Sequence, residues 1–221
     1  SMNRIVSKRQ FSANVYELIV EAPLIAKSRR AGHFVIVRAD EHGERIPLTI
    51  ADSDVKNGTI TLVVQSVGTS SGKICNKEVG EYLHDVVGPL GQATHIEKVG
   101  TVVCCGGGVG VAPLLPIIRA MKAAGNKVIS VLAGRTKDLI ILEDEVRASS
   151  DEVIIMTDDG SYGNKGLVTN GVENVLKREQ VDMVVTIGPA IMMKFVALLT
   201  KKYEVPTMCS LNTIFVHGTG I

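Results

Sequence analysis

The first ninety residues alternate between apolar and polar side chains in short runs. Such runs, bounded by Pro, Gly and Asp, are typical of strands that bury one face. One stretch, Ser70–Val79, instead has the spacing of a helix. The pattern predicts an antiparallel β-barrel interrupted by a single helix, with strands at Val15–Val20, His33–Arg38, Arg45–Ile50, Thr59–Gln65 and Tyr82–Val87.

From Gly100 onward the pattern changes to continuous apolar runs that alternate with amphipathic segments. Continuous runs are expected for parallel strands that are covered on both faces by helices. The change predicts a second, α/β domain with a parallel sheet, so that residues 1–96 form the first domain and residues 97–221 the second. Its strands are predicted at Val102–Cys105, Val128–Ala133, Val153–Thr157 and Met183–Ile187, and its helices at Pro113–Ala124, Ile141–Ala148, Asn170–Lys177 and Ile191–Tyr203.

Composition narrows the range of partners. The chain carries 24 Lys and Arg against 23 Asp and Glu, so no strong net charge attracts it to nucleic acid or to an anionic membrane. It has no Trp and few aromatic residues to stack on bases, and no apolar run of about 18 residues that could span a bilayer. Its four cysteines lack C-x-x-C spacing. These features predict a cytoplasmic protein without disulfides, zinc, nucleic acid or membrane partners.

A run of glycines joins the first predicted strand of the second domain to its first helix. Three consecutive glycines and a fourth two residues later occupy Gly106–Gly110. Glycines here let backbone N–H groups and the positive end of the helix approach a phosphate. A tight turn without a ligand is the alternative, but four glycines in five positions exceed what a turn needs. The run predicts a phosphate site, although Val111 departs from the common dinucleotide fingerprint.

Polar residues follow the other predicted parallel strands at their carboxyl ends. Arg135 comes after the second strand, where a fold that binds NAD has an acid, and it favours the 2′-phosphate of NADP. A solvent-exposed arginine without a ligand is the alternative. Asp158–Gly163 and Gly188–Pro189 follow the third and fourth strands. Each is an ordinary turn alone, but together they predict one ligand site along this edge.

Two segments of the first domain combine a cation, hydroxyls and free backbone N–H groups. Arg45–Thr49 is a predicted strand with an arginine at its start and a threonine two positions beyond a proline. Gly68–Lys73 opens the predicted helix and predicts a second anion site. The alternative for this segment is a simple N-cap at Ser70 or Ser71.

Seven segments, in order along the whole chain, resemble the ferredoxin-NADP reductase superfamily. Within it the chain is similar to the small, flavin-carrying subunit of NADH-dependent ferredoxin-NADP oxidoreductase and to the electron-transfer subunit of dihydroorotate dehydrogenase. The segments are RIPLTI at 45–50, VGTSSGKI at 67–74, GPLGQ at 88–92, CCGGGVGVAP at 104–113, AGRTKDLIILEDE at 133–145, TDDGSYGNKG at 157–166 and TIGPAIMMKF at 186–195.

The resemblance implies an N-terminal FAD-binding β-barrel and a C-terminal NAD(P)-binding α/β domain. It implies an FAD-dependent NAD(P)H oxidoreductase that moves a hydride between NADP(H), or NAD(H), and FAD. Electrons would then pass to a larger flavin and iron-sulfur subunit, to the catalytic subunit of a dihydroorotate dehydrogenase, or to ferredoxin. No side chain is expected to be catalytic, because the hydride moves between the cofactors.

The resemblance also implies which residues hold these cofactors. Arg45, Pro47, Leu48 and Thr49 would lie along the flavin and its phosphates, Gly68, Thr69, Ser70 and Ser71 at the FAD pyrophosphate, Gly107, Gly108, Val109 and Gly110 at the NADP pyrophosphate, Arg135 at the adenosine end, and Asp159 and Gly188 at the nicotinamide side.

The chain departs from the family pattern near its last residues. Relatives carry an aspartate where this chain has His217, and then a cysteine-rich run that binds a two-iron two-sulfur cluster. The cysteines present lack the spacing of cluster ligands. We therefore expect no iron-sulfur cluster and no other metal in this chain, and we expect Cys209 to be a buried thiol, with a residue packed near the flavin as the alternative. The departure supports an alternative function, a non-catalytic nucleotide-binding or assembly module derived from the family.

Overall fold

The computed structural model describes residues 3–209, and the chain divides between Thr94 and His95 into two compact units. The first contains one seven-stranded antiparallel sheet, and the second contains one six-stranded sheet in which the strands pair in parallel. The predicted order of an antiparallel β-barrel followed by a parallel α/β fold is confirmed. The departure at His217 lies outside the described residues.

The first unit contains seven strands and two short helices. In chain order these are β1 (Asn3–Ser12), β2 (Val15–Glu21), α1 (Pro23–Ser28), β3 (Phe34–Arg38), β4 (Arg45–Asp54), β5 (Thr59–Gln65), α2 (Thr69–Cys75), β6 (Tyr82–Leu83) and β7 (Asp85–Leu90). The prediction of a single helix is wrong, because α1 is an additional helix of six residues, too short to show a helical period. The predicted helix itself ends at Cys75 rather than Val79.

The antiparallel sheet curls until its two edges meet. The strand order is β6-β1-β2-β5-β4-β3-β7, so the two edge strands are consecutive in the chain with only His84 between them. The N–H of His84 donates to the carbonyl oxygen of Arg38 at 2.9 Å. The sheet therefore forms a nearly closed barrel around a core that includes Ile5, Leu18, Ile50, Ile60, Leu62, Ile74 and Leu83.

The second unit alternates strands and helices as predicted. In chain order these are β8 (Thr101–Gly107), α3 (Val111–Ala123), β9 (Lys127–Gly134), α4 (Glu143–Ala148), β10 (Glu152–Thr157), β11 (Asn164–Lys165), α5 (Val168–Arg178), β12 (Met183–Ile187), α6 (Ala190–Lys202) and β13 (Thr207–Cys209). The strands β11 and β13 were not predicted, because two or three residues are too few for a hydrophobic period.

Strand order creates a crevice at one edge of the parallel sheet. The order is β11-β10-β9-β8-β12-β13, so the chain leaves β8 toward β9 and later returns on the other side of β8 with β12. In open parallel sheets ligands bind at such a reversal, outside the carboxyl ends of the strands. The two strands that flank this reversal are β8 and β12.

All four thiols lie among the described residues and are free. Cys75, Cys104 and Cys105 are buried in the two cores, and burial raises the pKa of the Cys105 thiol to about 12. The expectation of a buried Cys209 is wrong, because Cys209 is exposed at the end of the edge strand β13.

Residues 3–209 contain no group of three or more His, Cys, Asp and Glu side chains that could hold a metal. No helix in this range is long and apolar enough to cross a membrane.

Asn126 ties the segment that leads into β8 to the end of α3. Its side chain is 1% exposed, and its Oδ1 accepts the N–H groups of Val99 at 2.7 Å and Gly100 at 3.0 Å. Its Nδ2 donates to the carbonyl oxygens of Glu97 and Met121, each at 3.0 Å. One side chain thus satisfies four backbone groups.

Replacement of Asn126 is expected to destabilise the second unit. Asn126→Ala leaves those four backbone groups without this partner and should lower the free energy of unfolding by about 2 kcal/mol. The matched control is Asn164→Ala, since Asn164 is exposed and donates a single bond to Ile155 at 3.2 Å. Denaturant titration measures both variants, and equal losses would contradict the special position of Asn126.

Candidate cofactor-binding sites

The glycine turn between β8 and α3 has one open position. Gly108–Gly110 form a single 3-10 turn that runs into α3. Gly108 has a φ of +57°, and a Cβ built on it would have nothing within 4 Å. N–H groups at a helix start lack acceptors within the helix and carry the positive end of its dipole. Gly108 and the exposed Val109 therefore present backbone that a phosphate can approach closely.

Two other glycines of the turn, Gly107 and Gly110, are closely packed inside the protein. A Cβ on Gly110 would lie 2.7 Å from the carbonyl oxygen of Ile187 and 2.9 Å from Cα of Gly188. A Cβ on Gly107 would lie 3.2 Å from Sδ of Met192. Phosphate approach therefore explains only part of the run. The structure brings the turn and Gly188 into contact at the crevice between β8 and β12.

Arg135 and Asp159 lie next to each other at the carboxyl ends of β9 and β10. The N–H of Asp159 donates to the carbonyl oxygen of Arg135 at 3.2 Å. The Arg135 side chain is exposed and makes no hydrogen bond or ion pair with residues 3–209. The Asp159 carboxylate accepts the N–H of Ser161 at 2.9 Å, and its bonds from Ser161 lower the pKa of Asp159. Arg135 is thus left available to a ligand, whereas Asp159 shapes its own loop.

The structure does not bring Asp159 and Gly188 together. Asp159 follows β10 and Gly188 follows β12, and the strands β9 and β8 stand between them in the sheet. That both residues serve the nicotinamide side stays a prediction; in the sheet, Asp159 lies beside Arg135, on the other side of the glycine turn from Gly188. Strand order, which the sequence pattern does not reveal, is the reason.

In the first unit, β4 offers one face to a ligand and the other to the core. Arg45, Pro47 and Thr49 lie on one face of β4, and Arg45 is exposed. Leu48 points to the opposite face, is 7% exposed and packs in the barrel core. Leu48 can therefore meet a ligand only through its backbone.

The strands β4 and β5 part at the segment that carries Arg45. β5 pairs with β4 from Ile50 to Asp54, whereas residues 45–49 pair with β3 alone among the described strands. Beyond Leu62, β5 pairs with β2 and continues toward the loop at Gly68. The two segments predicted to hold FAD thus flank one gap in the sheet.

The loop before α2 is shaped by Ser71. The Ser71 side chain is buried, and its Oγ accepts the N–H groups of Val67 at 2.9 Å and Gly68 at 3.1 Å. This is the reach-back bond of a capping box: Gly68 is the N-cap and Ser71 lies at the third helical position, so the alternative of an N-cap at Ser70 or Ser71 is wrong. Gly68, whose Cβ would have nothing within 4 Å, and the hydroxyls of Thr69 and Ser70 remain for a ligand.

Three side chains at the sheet edge are not identified as functional residues by the sequence alone. Glu143, Ser161 and Tyr162 connect the loops that follow β9 and β10. Tyr162 and Glu143 are 19 positions apart, so no local pattern pairs them. Both lie in segments that resemble the family, and Tyr162 also lies in the loop at residues 158–163 that the sequence predicts at the ligand edge.

Comparison with known proteins gives consistent results. Residues 104–198 match the family described as oxidoreductase NAD-binding domain. The chain is 43% identical to the Thermotoga maritima dihydroorotate dehydrogenase B (NAD(+)) electron transfer subunit homolog, over 100% of this chain and 78% of that protein. It is 32% identical to the Lysinibacillus sphaericus dihydroorotate dehydrogenase B (NAD(+)) electron transfer subunit, over 86% of this chain and 75% of that protein.

Solved structures agree with the sequence relatives. A structure of NADH-dependent reduced ferredoxin-NADP oxidoreductase superposes with a TM-score of 0.91 at 40% identity, over 100% of this chain and 80% of that chain. The cytochrome b5 reductase domain of Ulva prolifera nitrate reductase has a TM-score of 0.73 at 19% identity, over 95% of this chain and 97% of that chain, and shows a shared fold. The chain therefore belongs to the ferredoxin-NADP reductase superfamily, in the group that contains the electron transfer subunits of dihydroorotate dehydrogenase B and their homologues.

Proposed function

We propose that this chain is an FAD-dependent NAD(P)H oxidoreductase subunit that moves a hydride between a nicotinamide nucleotide and FAD. One observation carries the proposal: each unit has an anion-type loop with an open glycine. Gly68 and Gly108 are the two positions of these loops where a Cβ would meet nothing within 4 Å. A single phosphate-binding loop is found in many nucleotide-binding proteins. Two such loops in a member of this family are what the binding of both FAD and a hydride-donating nicotinamide nucleotide requires.

FAD is proposed to bind at the gap between β4 and β5. The exposed guanidinium of Arg45 would pair with a phosphate, and Pro47 and Thr49 lie on the same face of β4. Gly68, Thr69 and Ser70 would hold the pyrophosphate through backbone N–H groups and hydroxyls. Ser71 supports this loop from inside, and Leu48 supports the strand from the core. When bound, FAD supplies the acceptor for a hydride and can release electrons singly.

The nicotinamide nucleotide is proposed to bind along the carboxyl edge of the parallel sheet. Gly107, Gly108, Val109 and Gly110 would take its pyrophosphate at the start of α3. Arg135 and Gly188 lie on opposite sides of this turn in the strand order. An extended dinucleotide centred on the turn would therefore reach Arg135 with its adenosine end and Gly188 with its nicotinamide end.

The protein contributes binding and alignment rather than proton transfer. Neither the residues of the glycine turn nor Gly188 has an ionisable side chain. Hydride transfer between two cofactors needs no protein acid or base, and its rate depends on how the reacting atoms are held. The close contact between Gly110 and Gly188 supports such a role, since it keeps the two turns of the crevice in register.

The electron acceptor is proposed to be a partner subunit. One relative is named an electron transfer subunit of dihydroorotate dehydrogenase B, a second is named a homolog of that subunit, and a third belongs to a ferredoxin-NADP oxidoreductase. The corresponding partner here is a larger flavin and iron-sulfur subunit, the catalytic subunit of a dihydroorotate dehydrogenase, or ferredoxin.

An absorption spectrum followed by anaerobic titration tests the proposed function. We expect flavin bands in the purified protein, or in protein given FAD, and we expect NADPH or NADH to bleach them. Nucleotide binding without any flavin reduction would favour the alternative, a non-catalytic nucleotide-binding or assembly module. Absence of flavin binding and of nucleotide oxidation with an artificial acceptor would reject the proposal.

Arg135 provides a test of the nucleotide preference. Because its guanidinium is exposed and available, Arg135→Ala is expected to raise the KM for NADPH about tenfold, the loss of one charge-assisted bond, and to leave the KM for NADH unchanged. The control is Lys177→Ala, which removes the same charge near the end of α5. The relatives named above carry NAD(+) in their names, so both nucleotides are measured. An equal effect on NADH and NADPH would contradict a 2′-phosphate contact.

A further inference from the structure

The loops that follow β9 and β10 are fastened to each other by a chain of hydrogen bonds. The N–H of Lys137 donates to Oγ of Ser161 at 2.9 Å, and the N–H of Ser161 donates to Oδ1 of Asp159 at 2.9 Å. The N–H of Asp159 then donates to the carbonyl oxygen of Arg135 at 3.2 Å. The backbone at residues 135 and 137 is therefore held at two points by the neighbouring loop.

Tyr162 fastens the same loop at its far end. Its hydroxyl donates to Oε2 of Glu143, the first residue of α4, at 2.7 Å, and Nε of Arg147 donates to the same oxygen at 2.7 Å. The ammonium group of Lys137 lies 5.1 Å from the centre of the Tyr162 ring. The Thr157 hydroxyl donates to the Tyr162 carbonyl oxygen at 2.6 Å, which fixes the backbone of the tyrosine. Tyr162 thus joins β10, the loop after β9 and α4.

The two cations of the loop after β9, Lys137 and Arg135, differ in their contacts. Partial burial opposes ionisation of Glu143, but its bonds from Arg147 and Tyr162 and the nearby charge of Lys137 lower the pKa of this carboxyl. Glu143 is therefore ionised, and the Lys137 ammonium group lies over the Tyr162 ring. Arg135 makes no such contact with residues 3–209. Lys137 thus contacts a side chain of the protein, whereas the Arg135 side chain is left available to a ligand.

The loop needs such support because its backbone is strained. Leu142, the residue before α4, has a φ of +57°, in the left-handed region that costs a residue with a Cβ about 1 kcal/mol. Its buried side chain and the bond of Tyr162 to Glu143 hold the chain in this conformation.

We propose that Tyr162 is a positioning residue for the nucleotide site: by joining Glu143 and Lys137 it holds the Arg135 loop in place for the adenosine end of the nucleotide. The proposal rests on the proposed function and adds to it the residue that sets the geometry of one end of the site. Tyr162 acts through the loop and is not itself a contact of the reacting atoms.

The test compares two tyrosine-to-phenylalanine variants. Tyr162→Phe removes the bond to Glu143 and keeps the ring beside Lys137. The matched control is Tyr203→Phe. The Tyr203 hydroxyl also donates to a glutamate, at 2.9 Å to Oε2 of Glu173 on α5, and this bond lies away from the Arg135 loop. Tyr162→Phe is expected to raise the KM for the preferred nucleotide about fivefold, the net worth of one such hydrogen bond, with kcat and FAD content unchanged. Tyr203→Phe is expected to leave all three unchanged.

Amide hydrogen exchange gives a second readout that needs no nucleotide. We expect the N–H groups of Lys137 and Asp159 to exchange faster in Tyr162→Phe and at the wild-type rate in Tyr203→Phe. If the wild-type protein binds no nicotinamide nucleotide, the proposed function fails and the positioning role fails with it. If it binds the nucleotide and the two variants have the same KM, the positioning role alone is overturned. A loss of FAD or of kcat as large as the rise in KM would also overturn it.

Discussion

Gly110→Ala is expected to abolish reduction of the flavin by the nicotinamide nucleotide while FAD remains bound. The new Cβ would lie 2.7 Å from the carbonyl oxygen of Ile187 and 2.9 Å from Cα of Gly188. Both contacts are with backbone, which cannot rotate away, so the turn or the end of β12 must shift. We expect at least about hundredfold weaker nucleotide binding and a loss of about 3 kcal/mol in the free energy of unfolding of the second unit.

A glycine at the other end of α3 provides the control for this variant. Gly125 has a φ of +98°, and a Cβ on it would be 3.4 Å from the flexible side chain of Lys98. Gly125→Ala is expected to cost about 1 kcal/mol of stability through its backbone conformation and to leave nucleotide affinity unchanged. Calorimetric titration with NADPH and NADH, together with FAD content, separates the two variants. Wild-type affinity in Gly110→Ala would show that the crevice tolerates a shift of the turn.

Arg45→Gln is expected to weaken FAD binding about hundredfold, the loss of one or two charge-assisted bonds to a phosphate. Arg45 is exposed at the start of β4, beside the gap where β4 and β5 part. Because no described residue pairs with its guanidinium, the substitution should leave the stability of the barrel unchanged. Titration of the apoprotein with FAD, followed by flavin fluorescence, measures the effect.

The control for Arg45 is Lys27→Gln in the same unit. Lys27 is exposed on α1, and its replacement makes the same change in net charge. If FAD binding depended only on the overall charge of the barrel, both variants would weaken it equally. We expect a change in Arg45→Gln alone, and an unchanged FAD affinity in that variant would remove Arg45 from the proposed site.

The parts of the fold that were predicted share a regular hydrophobic period. Continuous apolar runs identified β8, β9, β10 and β12, and alternation identified most of the barrel. β1 was not predicted, since register shifts between Ile5 and Ser7 and between Gln10 and Ser12 break its alternation. α1 and the edge strands β11 and β13 are too short for any period to be read.

The candidate site was predicted as a set of loops, and its internal arrangement was not. Parallel strands place their carboxyl ends at one edge, so Arg135, Asp159 and Gly188 could be assigned to that edge from the sequence. Their order along the edge depends on hydrogen bonding between distant strands. The resemblance assigned both Asp159 and Gly188 to the nicotinamide side, and the sheet order places Asp159 beside Arg135.

Local chemistry, which depends on residues near one another in the chain, was accessible without a structure. The four glycines before α3, the hydroxyls before α2 and the switch from alternating to continuous apolar runs are properties of this kind, and they were sufficient for the fold class and the two anion loops. Which groups remain available to a ligand is different, because it depends on partners far away in the chain. Ser71 turns inward and bonds to its own loop, the Lys137 ammonium group lies over the Tyr162 ring, and Arg135 stays available. Folding determines these roles, because hydrogen bonds and ring contacts form only between groups that it brings within reach.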